Sequence, residues 1–310
     1  MVEVSIVIVS MNRPDILFPC LDSIRKNTSV SYETLVVAYL YAPDKLQLLR
    51  ENYPWVKVIV SNEVRGFSEN NNLALKESEG RYCFVVNDDT LMYMPVIDRL
   101  VEDFATLPLS AAAISPCINF PSGKVQTCGR APWSAWRYVL HYLHLVDETK
   151  PTRWSMQKGV FQTWTLNGAC FLARREAFAK AGWLDERFFF TPEDIALGHK
   201  FNSMGRTVWV DASVNITHLA GGSVSMMEAA IKPARVRGAL LFYGDGKWLK
   251  TNALRLFVWS FEFIRACRYR FVNRPAGSRA DIMYRTALNV MKTAFSKATP
   301  KELFIRFSHS

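Results

Sequence analysis

The sequence predicts an α/β fold: a doubly wound, mostly parallel sheet flanked by helices, followed by a basic α-helical C-terminal extension. Strand-like and helix-like segments alternate through the first hundred residues, which is typical of a parallel sheet with crossover helices. The first strand-like segment, from Val4 to Val9, is almost entirely apolar, as expected for a strand buried on both faces. The net positive charge is confined to the last quarter of the chain, which marks that part as distinct.

The first part of the predicted sheet contains four strands with helices between them. Val4-Ser5-Ile6-Val7-Ile8-Val9 is a continuous run rich in β-branched residues, and a helix follows from about Pro14. Three further strands are predicted at 33–38, 56–60 and 81–86, with helices near 46–49 and from 70 to 79. Ligands of such a sheet bind beyond the carboxyl ends of the strands.

The chain is less regular from 121 to 164, where tryptophans are frequent, and becomes regular again from Thr165. A strand-like segment at 166–173 precedes a short helix. Thr191-Pro192-Glu193-Asp194 opens another helix, because proline fits the first turn and acidic side chains suit the positive end of the helix dipole. Two short strands, 208–210 and 214–218, come last. We therefore predict a catalytic-type domain over residues 1–224 and an extension over 225–310.

Composition favours a globular protein that contains reduced thiols. Of the 310 residues 49% are hydrophobic, which supports a large core. The six cysteines are scattered and show no zinc-ligand spacing, so we expect buried thiols in a cytoplasmic protein. The first residues lack the basic region and the cleavage site of a signal peptide, and no run of about 18 apolar residues predicts a membrane span.

Charge is distributed unevenly along the chain. Residues 225–310 hold 16 Lys and Arg against 5 Asp and Glu, whereas residues 1–224 hold 22 against 23. A basic segment of this kind is typical of contact with phosphates, in nucleic acid, an anionic membrane surface or a phosphorylated ligand. A solvated, merely soluble surface is the alternative.

An acidic pair follows the fourth predicted strand directly. Asp88 and Asp89 stand between Asn87 and Thr90, at the edge of the sheet where ligands are expected. Two adjacent carboxylates repel each other unless a cation neutralises them, and Mg²⁺ or Mn²⁺ bridging phosphate oxygens is the usual partner. By itself the pair is equally compatible with an ordinary turn or with a helix N-cap at Thr90.

Short motifs follow one another in a fixed order between residues 3 and 224. They are Asn12-Arg13 after the first strand, Gly66-Phe67-Ser68 with Asn72 downstream, Asn87-Asp88-Asp89-Thr90, the run from Asn167 to Phe178, the run from Gly182 to Phe189 with Pro192-Glu193-Asp194 after it, and the run from Val214 to Ser223. Together they resemble glycosyltransferase family 2. Asn at the first position of the acidic motif is similar to its rhamnosyltransferase-like members.

The resemblance implies a GT-A fold and inverting transfer of a sugar from a nucleotide diphosphate. It also implies roles for individual residues: metal ligation by Asp89 and His218; acceptor activation by Asp194 with Glu193 beside it; and donor binding by Asn87, Asp88, Asn72, Asn12 and Arg13. The implied cofactor is Mn²⁺ or Mg²⁺, because a divalent cation stabilises the charge that develops on the leaving diphosphate. A carboxylate that removes the acceptor proton completes a single in-line displacement.

Two departures from the family pattern narrow the implied function. Ala38 stands where relatives usually carry the acid that recognises the donor base, so the choice between a UDP- and a dTDP-sugar stays open. The Gln-x-x-Arg-Trp element of processive members is missing, which favours addition of one or a few sugars. The implied acceptor is a glycan or a lipid-linked diphosphate glycan, in bacterial surface polysaccharide synthesis.

Each assigned side chain also has a structural interpretation. Asp194 could simply favour a helix N-terminus, His218 could be a structural histidine, and Glu193 could bind acceptor hydroxyls or do nothing chemical. Trp133, Trp136 and Trp164 could stack on sugar rings, although tryptophans are more often part of a core.

The basic extension contains one strongly patterned helix. Leu256, Phe263, Ile264, Cys267 and Phe271 fall on one face of the segment from 254 to 271, and Arg255, Glu262 and Arg265 lie roughly opposite. This pattern suits a helix in a membrane interface at the inner face of the cell membrane, or a helix packed on the catalytic domain. Lys232, Arg235 and Arg237 could reach the donor diphosphate.

Three other classes of protein share single features with this sequence. A nucleotidyltransferase shares acidic metal sites but normally has a Gly-rich loop after the first strand, and residues 10–14 do not form one. A Rossmann oxidoreductase lacks support for the same reason. A nucleic-acid-binding protein could use the basic extension, but no recognised module accompanies the charge, and no nucleic acid is expected as a partner.

Overall fold

The computed structural model describes residues 2–219 and 227–308. The chain groups into two compact units. The first contains Met1–Pro132, Asp147–Asp185 and Glu193–Ala220, and the second contains Trp133–Val146, Glu186–Pro192 and Gly221–Ser310. Two segments that precede residue 224 thus group with the helical C-terminal part, which a single linear boundary does not anticipate.

The first unit is built on a mixed sheet, and four of the seven neighbouring pairs along its main path are parallel. Its order is β3-β2-β1-β4-β9-β6-β10-β5, with β7 beside β6 and β8 beside β10. The strands are β1 Val4–Met11, β2 Tyr32–Tyr39, β3 Val56–Ser61, β4 Tyr82–Asn87, β5 Thr90–Leu91, β6 Ala111–Asn119, β7 Val125–Thr127, β8 Val160–Thr163, β9 Cys170–Arg174 and β10 Thr207–His218. β1 to β4 pair in parallel, whereas β9 runs antiparallel to both β4 and β6.

Helices cover both faces of this sheet and make up most of the second unit. They are α1 Pro14–Lys26, α2 Pro43–Asn52, α3 Phe67–Glu77, α4 Val96–Thr106, α5 Ala135–Tyr142, α6 Arg175–Lys180, α7 Glu193–Ser203, α8 Glu228–Gly244, α9 Trp248–Arg270, α10 Arg279–Thr293 and α11 Pro300–Ser308. None of the helices in the described part of the chain combines the length and the hydropathy of a membrane span.

The apolar runs of the sequence become strands buried from both sides. Ile6 and Ile8 of β1 pack in one buried cluster together with Leu17 of α1. Val7 points to the opposite face and packs in a second cluster with Leu75 of α3. The alternation of β1 between two cores explains why its sequence shows no polar face.

Two elements differ from the sequence-based expectation. α3 begins at Phe67 instead of residue 70, because the Gly66 N–H donates to the Glu69 carboxylate at 2.9 Å and caps an additional turn. The two short strands expected after residue 207 form one strand, β10, with an irregularity between Asp211 and Asn215. This single strand carries His218 at its end.

The second unit encloses a charged cluster. Glu262 of α9 is fully buried and accepts hydrogen bonds from Tyr142 at 2.6 Å and from Arg265 at 3.2 Å. Its carboxylate also pairs with Lys232 of α8 at 2.8 Å. A buried carboxylate is tolerated because these cations and the phenol compensate its lost hydration.

Two facing carboxyls make the stability of the first unit depend on pH. Burial, the charge of the neighbouring Asp211 and their mutual hydrogen bond raise the pKa of Asp103 to about 6. The folded protein holds this proton more tightly than the unfolded chain. The stabilisation of the folded state by this proton is therefore complete below about pH 4 and is lost as the pH rises through 6.

We expect Asp103→Asn to raise the free energy of unfolding by about 1 kcal/mol at pH 8 and to leave it nearly unchanged at pH 4. Denaturant unfolding at the two pH values measures the difference. Glu102→Gln, an exposed change on the same helix, is the control. An equal effect of Asp103→Asn at both pH values would contradict the shared-proton interpretation.

Candidate active site

Two residues far apart in sequence meet at the carboxyl edge of the sheet. The end of β10 pairs antiparallel with β5, which sets His218 opposite Thr90. The Leu219 N–H donates to the Asp89 carbonyl at 2.8 Å and continues the contact beyond the strand. As a result, His218 Nε2 lies 3.1 Å from Asp89 Oδ1. The structure thus brings together the two residues that the sequence predicts as metal ligands.

Gln126 of β7 orients the imidazole of His218. Its Oε1 lies 2.9 Å from His218 Nδ1, and because an oxygen of this kind only accepts, Nδ1 carries the proton. The lone pair of Nε2 then faces the Asp89 carboxylate, with Asn87 Nδ2 at 3.5 Å. Sequence reasoning missed Gln126, because the segment from 121 to 164 shows no regular pattern. A strand signal at Val125 would have been the only indication.

The donor atoms at this edge fit a divalent cation. The imidazole nitrogen of His218 and the carboxylate oxygen of Asp89 lie 3.1 Å apart at this edge. Mn²⁺ accepts both donor types, and two protein ligands leave positions for phosphate oxygens and water. Within residues 2–219 and 227–308 no group of three or more His, Cys, Asp or Glu side chains is arranged to hold a metal.

Asp88 lies beside this pair and close to the end of β1. The pKa of Asp88 is raised to about 6; burial is the main cause and the charge of Asp89 adds to it, whereas a hydrogen bond with Ser10 and the charge of Arg13 oppose the rise. The Ser10 hydroxyl also lies 2.9 Å from the Tyr41 hydroxyl. The ends of β1 and β4 and the loop after β2 therefore border the same region.

Asn12 and Arg13 occupy different situations. Asn12 adopts a positive φ of 54°, and its side-chain oxygen accepts from the Ala42 N–H at 3.0 Å. Asn12 therefore holds the loop after β2 in place. Arg13 is partly exposed, and its charge lowers the pKa of Asp88. Arg13 therefore stays a predicted donor-binding residue.

Asn72 is not brought to the site. It is 2% exposed, its amide nitrogen donates to the Leu184 carbonyl at 2.9 Å, and its oxygen accepts from the Leu184 N–H at 3.1 Å. Both ends of the amide therefore serve the packing of α3 against the turn at 182–184. A contact of Asn72 with the donor stays a prediction.

Ala38 is fully buried among the core residues below the sheet edge. The residue that departs from the family pattern at this position is therefore part of the core.

Asp194 is held in one orientation by three donors. Arg130 Nη1 lies 2.8 Å from Asp194 Oδ2, and the Gly168 N–H donates to the same oxygen at 3.2 Å. The Ile195 N–H donates to Oδ1 at 2.7 Å. Glu148 lies 3.8 Å from Arg130 Nε and fixes the guanidinium in turn. Arg130 also lies in the irregular part of the sequence and was not predicted.

Exposure distinguishes the two neighbouring carboxylates at the start of α7. The Asp194 side chain is 14% exposed even though it is paired with Arg130. Glu193 is 6% exposed as a whole residue and belongs to the buried set. Asp194 is therefore more accessible from solvent than Glu193.

The aromatic and basic candidates are mostly engaged in packing. Trp133 is 6% exposed and lies edge-on to His141, whereas Trp136 is 68% exposed. Trp164 is half-buried against Trp154 and has a carbonyl bonded by Asn202.

The three basic residues of α8 have partners inside the second unit. Lys232 pairs with Glu262, Arg235 with Glu228 at 3.6 Å, and Arg237 donates to the Ala298 carbonyl at 2.9 Å. Binding of a donor diphosphate would have to compete with these contacts.

The family model for glycosyl transferase family 2 matches residues 5–182, more than half of the chain. The chain belongs to glycosyltransferase family 2. The sequence-based resemblance is thereby confirmed. Asn87 to Asp89 lie inside the matched range, whereas Asp194 and His218 lie beyond it.

Two curated proteins are similar in sequence to this family 2 chain. It is 26% identical over 231 residues to the O-antigen biosynthesis protein RfbC of Myxococcus xanthus, covering 70% of this chain and 17% of that protein. It is 25% identical over 184 residues to an N-acetylglucosaminyl-diphospho-decaprenol L-rhamnosyltransferase of Mycobacterium tuberculosis (strain ATCC 25618 / H37Rv), covering 53% of this chain and 55% of that protein. The chain spans about half, or less, of the length of these curated relatives.

Solved structures confirm the predicted GT-A fold. GalNAc-T7 with UDP, GalNAc and Mn²⁺ matches with a TM-score of 0.59 and 12% identity, covering 96% of this chain and 56% of that chain. The mannosyltransferase PcManGT from Pyrobaculum calidifontis, in complex with GDP-Man and Mn²⁺, matches with a TM-score of 0.55 and 14% identity, covering 99% and 86%. At these identities the likeness concerns the fold alone.

We expect Gln126→Leu to weaken Mn²⁺ binding at least tenfold, since loss of the hydrogen bond frees the ring of His218. Calorimetric titration of Mn²⁺ in the presence of UDP or dTDP measures the affinity. Gln47→Leu, on the surface of α2, is the matched control. An unchanged affinity in Gln126→Leu would show that His218 does not ligate the metal.

We expect Arg130→Gln to lower kcat by a factor on the order of 100 while the KM for the donor stays within a few-fold, because Asp194 loses its fixed orientation. Arg153→Gln, an exposed arginine of the same unit, should leave both constants unchanged. Initial rates of sugar transfer supply the measurement. A rise in KM without a fall in kcat would place Arg130 in donor binding.

Proposed function

We propose that the protein is an inverting, metal-dependent, non-processive glycosyltransferase. It transfers a sugar from a nucleotide-diphosphate-sugar to a hydroxyl of a glycan or lipid-linked diphosphate glycan, in bacterial surface polysaccharide synthesis. The observation that carries the proposal is the meeting of Asp89 and His218 at the carboxyl edge of a GT-A sheet. The family assignment favours this reaction over nucleotidyl transfer and over nucleic-acid binding.

Donor binding falls to the residues at the ends of β1 and β4. Asp89 and His218 would hold Mn²⁺ or Mg²⁺, which supplies positive charge to the leaving diphosphate. Asn87 and Asp88 lie next to the ligands, and Asp88 is partly desolvated, so the phosphates approach a site where electrostatic interactions are strong. Arg13 adds a cation at the same edge.

Acceptor activation falls to Asp194. The acceptor hydroxyl is a weak nucleophile until its proton moves to a carboxylate within hydrogen-bond reach. Asp194 takes the proton as the hydroxyl oxygen attacks the anomeric carbon and the bond to the diphosphate breaks. Arg130, Gly168 and Ile195 keep the carboxylate aimed during the step. One in-line displacement inverts the anomeric centre, so no second nucleophile is needed.

The names of the relatives support the class of substrates. One acts on an N-acetylglucosaminyl diphosphate joined to a polyprenol, as a rhamnosyltransferase, and the other takes part in O-antigen synthesis. We infer a UDP- or dTDP-sugar donor, an acceptor that carries a lipid-linked diphosphate, and action in the cytoplasm at the inner face of the cell membrane. The sequence contains no Gln-x-x-Arg-Trp element, which supports non-processive transfer.

We expect UDP- or dTDP-sugars with Mn²⁺ to raise the melting temperature of the wild-type protein and of Asp194→Asn equally, but not that of Asp89→Asn. Transfer to an alkyl N-acetylglucosaminyl diphosphate should fall about 100- to 10,000-fold in Asp194→Asn, because the general base is lost. Glu193→Gln is the neighbouring control and should retain more activity than Asp194→Asn. Full transfer by Asp194→Asn would identify another base, and absence of binding by every nucleotide sugar would refute the proposal.

A further inference from the structure

α9 exposes apolar side chains and buries its single acid. Its outer face, defined as Leu249, Leu256, Phe263, Ile264, Cys267 and Phe271, points to solvent. The exposed fractions are 75% for Leu249, 59% for Leu256, 46% for Phe263, 68% for Ile264 and 87% for Phe271. The opposite side of the helix is buried and consists of Leu254, Val258, Glu262 and Ala266. A helix on the surface of a soluble domain normally shows the reverse arrangement.

The reversal is stabilised by the buried charged cluster. Glu262 lies inside the unit because Lys232, Arg265 and Tyr142 neutralise and hydrogen-bond it. Successive residues of a helix turn by about 100°, so fixing Glu262 inward fixes Phe263, Ile264 and Phe271 outward. The exposed apolar face is therefore a consequence of the packing and not of a frayed end.

Positive charges border the outer face on both sides. The helical spacing places Lys250 and Arg268 along one edge and Arg270 along the other. Arg268 and Arg270 are exposed, and Lys250 is partly exposed. Between Lys247 and Arg274 the only acid in the sequence is the buried Glu262. Solvent along this helix thus meets a continuous apolar face with a cationic rim.

We propose that the outer face of α9 docks into the interface of an anionic lipid bilayer. Apolar side chains enter the boundary between headgroups and acyl chains, and the rim of Lys and Arg meets anionic headgroups. Trp248, at the start of the helix, is 77% exposed and is a residue type that favours the membrane–water interface. The inference rests on the proposed function, since an enzyme that acts on a lipid-linked acceptor works at such a surface.

Charge complementarity selects a bilayer over a second copy of the chain. Two outer faces brought together would place their cationic rims against each other with no acid to pair them. An anionic bilayer supplies the opposite charge along the whole rim. A second copy of the chain, bound through α9, is the competing occupant. The oligomeric state in solution distinguishes it from a bilayer.

Flotation of the full chain with vesicles tests the proposal. We expect binding to vesicles of phosphatidylcholine with 30% phosphatidylglycerol (about one anionic lipid in three) and much weaker binding to phosphatidylcholine alone, because the rim is cationic. Ile264→Ser/Phe271→Ser should reduce the bound fraction at least about tenfold, since two exposed anchors are lost. Tyr93→Ser/Leu109→Ser changes two equally exposed apolar residues of the first unit and should bind as the wild type does.

A charge variant provides an independent result if the apolar variant fails to fold. Arg268→Gln/Arg270→Gln should lose the preference for phosphatidylglycerol and most of the sensitivity of binding to salt. Equal binding of the wild type and both double variants would overturn the proposal. So would a wild type that binds neither vesicle, or that dimerises in solution through Ile264 and Phe271.

Thermal shift with UDP or dTDP and Mn²⁺, measured on the same preparations, distinguishes failure of the docking surface from failure of the proposed function. Donor binding without vesicle binding would overturn the docking surface alone. Vesicle binding without donor binding would leave the docking surface in place and refute the proposed function.

Discussion

The pairing of the last two residues of β10 with β5 is the constraint on which the candidate active site depends. β10 begins parallel to β6, passes an irregularity between Asp211 and Asn215, and ends antiparallel to β5. Only this route sets His218 against Asp89, which precedes β5 by a single residue. Backbone hydrogen bonds of a central sheet are difficult to shift, so the distance between the two side chains is set by the fold itself.

The second half of the site is built by the start of α7 together with the segments that carry Arg130 and Gly168, and it is held just as firmly. The Asp194 carboxylate accepts two backbone N–H groups, from Gly168 and Ile195, and pairs with Arg130. Backbone donors and a guanidinium leave a carboxylate little rotational freedom. A carboxylate that is already oriented does not lose conformational entropy when a ligand binds beside it, which is the advantage of preorganisation.

The helical unit follows a different physical logic. Its core includes a full negative charge at Glu262, compensated by Lys232, Arg265 and the Tyr142 hydroxyl. Burying ions in this way seldom gains stability over an apolar core, but it specifies which face of a helix points inward. In α9 the consequence is an exposed apolar surface that suits contact with lipid. The cations along its rim indicate that the lipid surface is anionic.

The sequence by itself determined the α/β class, the position of Asp88 and Asp89 after a buried strand, and the apolar stripe of the extension. These features depend on periodicity and local order along the chain, which a sequence displays directly. The tertiary structure alone decided that His218 meets Asp89, that Gln126 and Arg130 support the two halves of the site, and that Asn72 belongs to packing. It also decided which face of α9 is exposed. All of these depend on contacts between residues far apart in sequence, and no local propensity encodes a distance across a sheet.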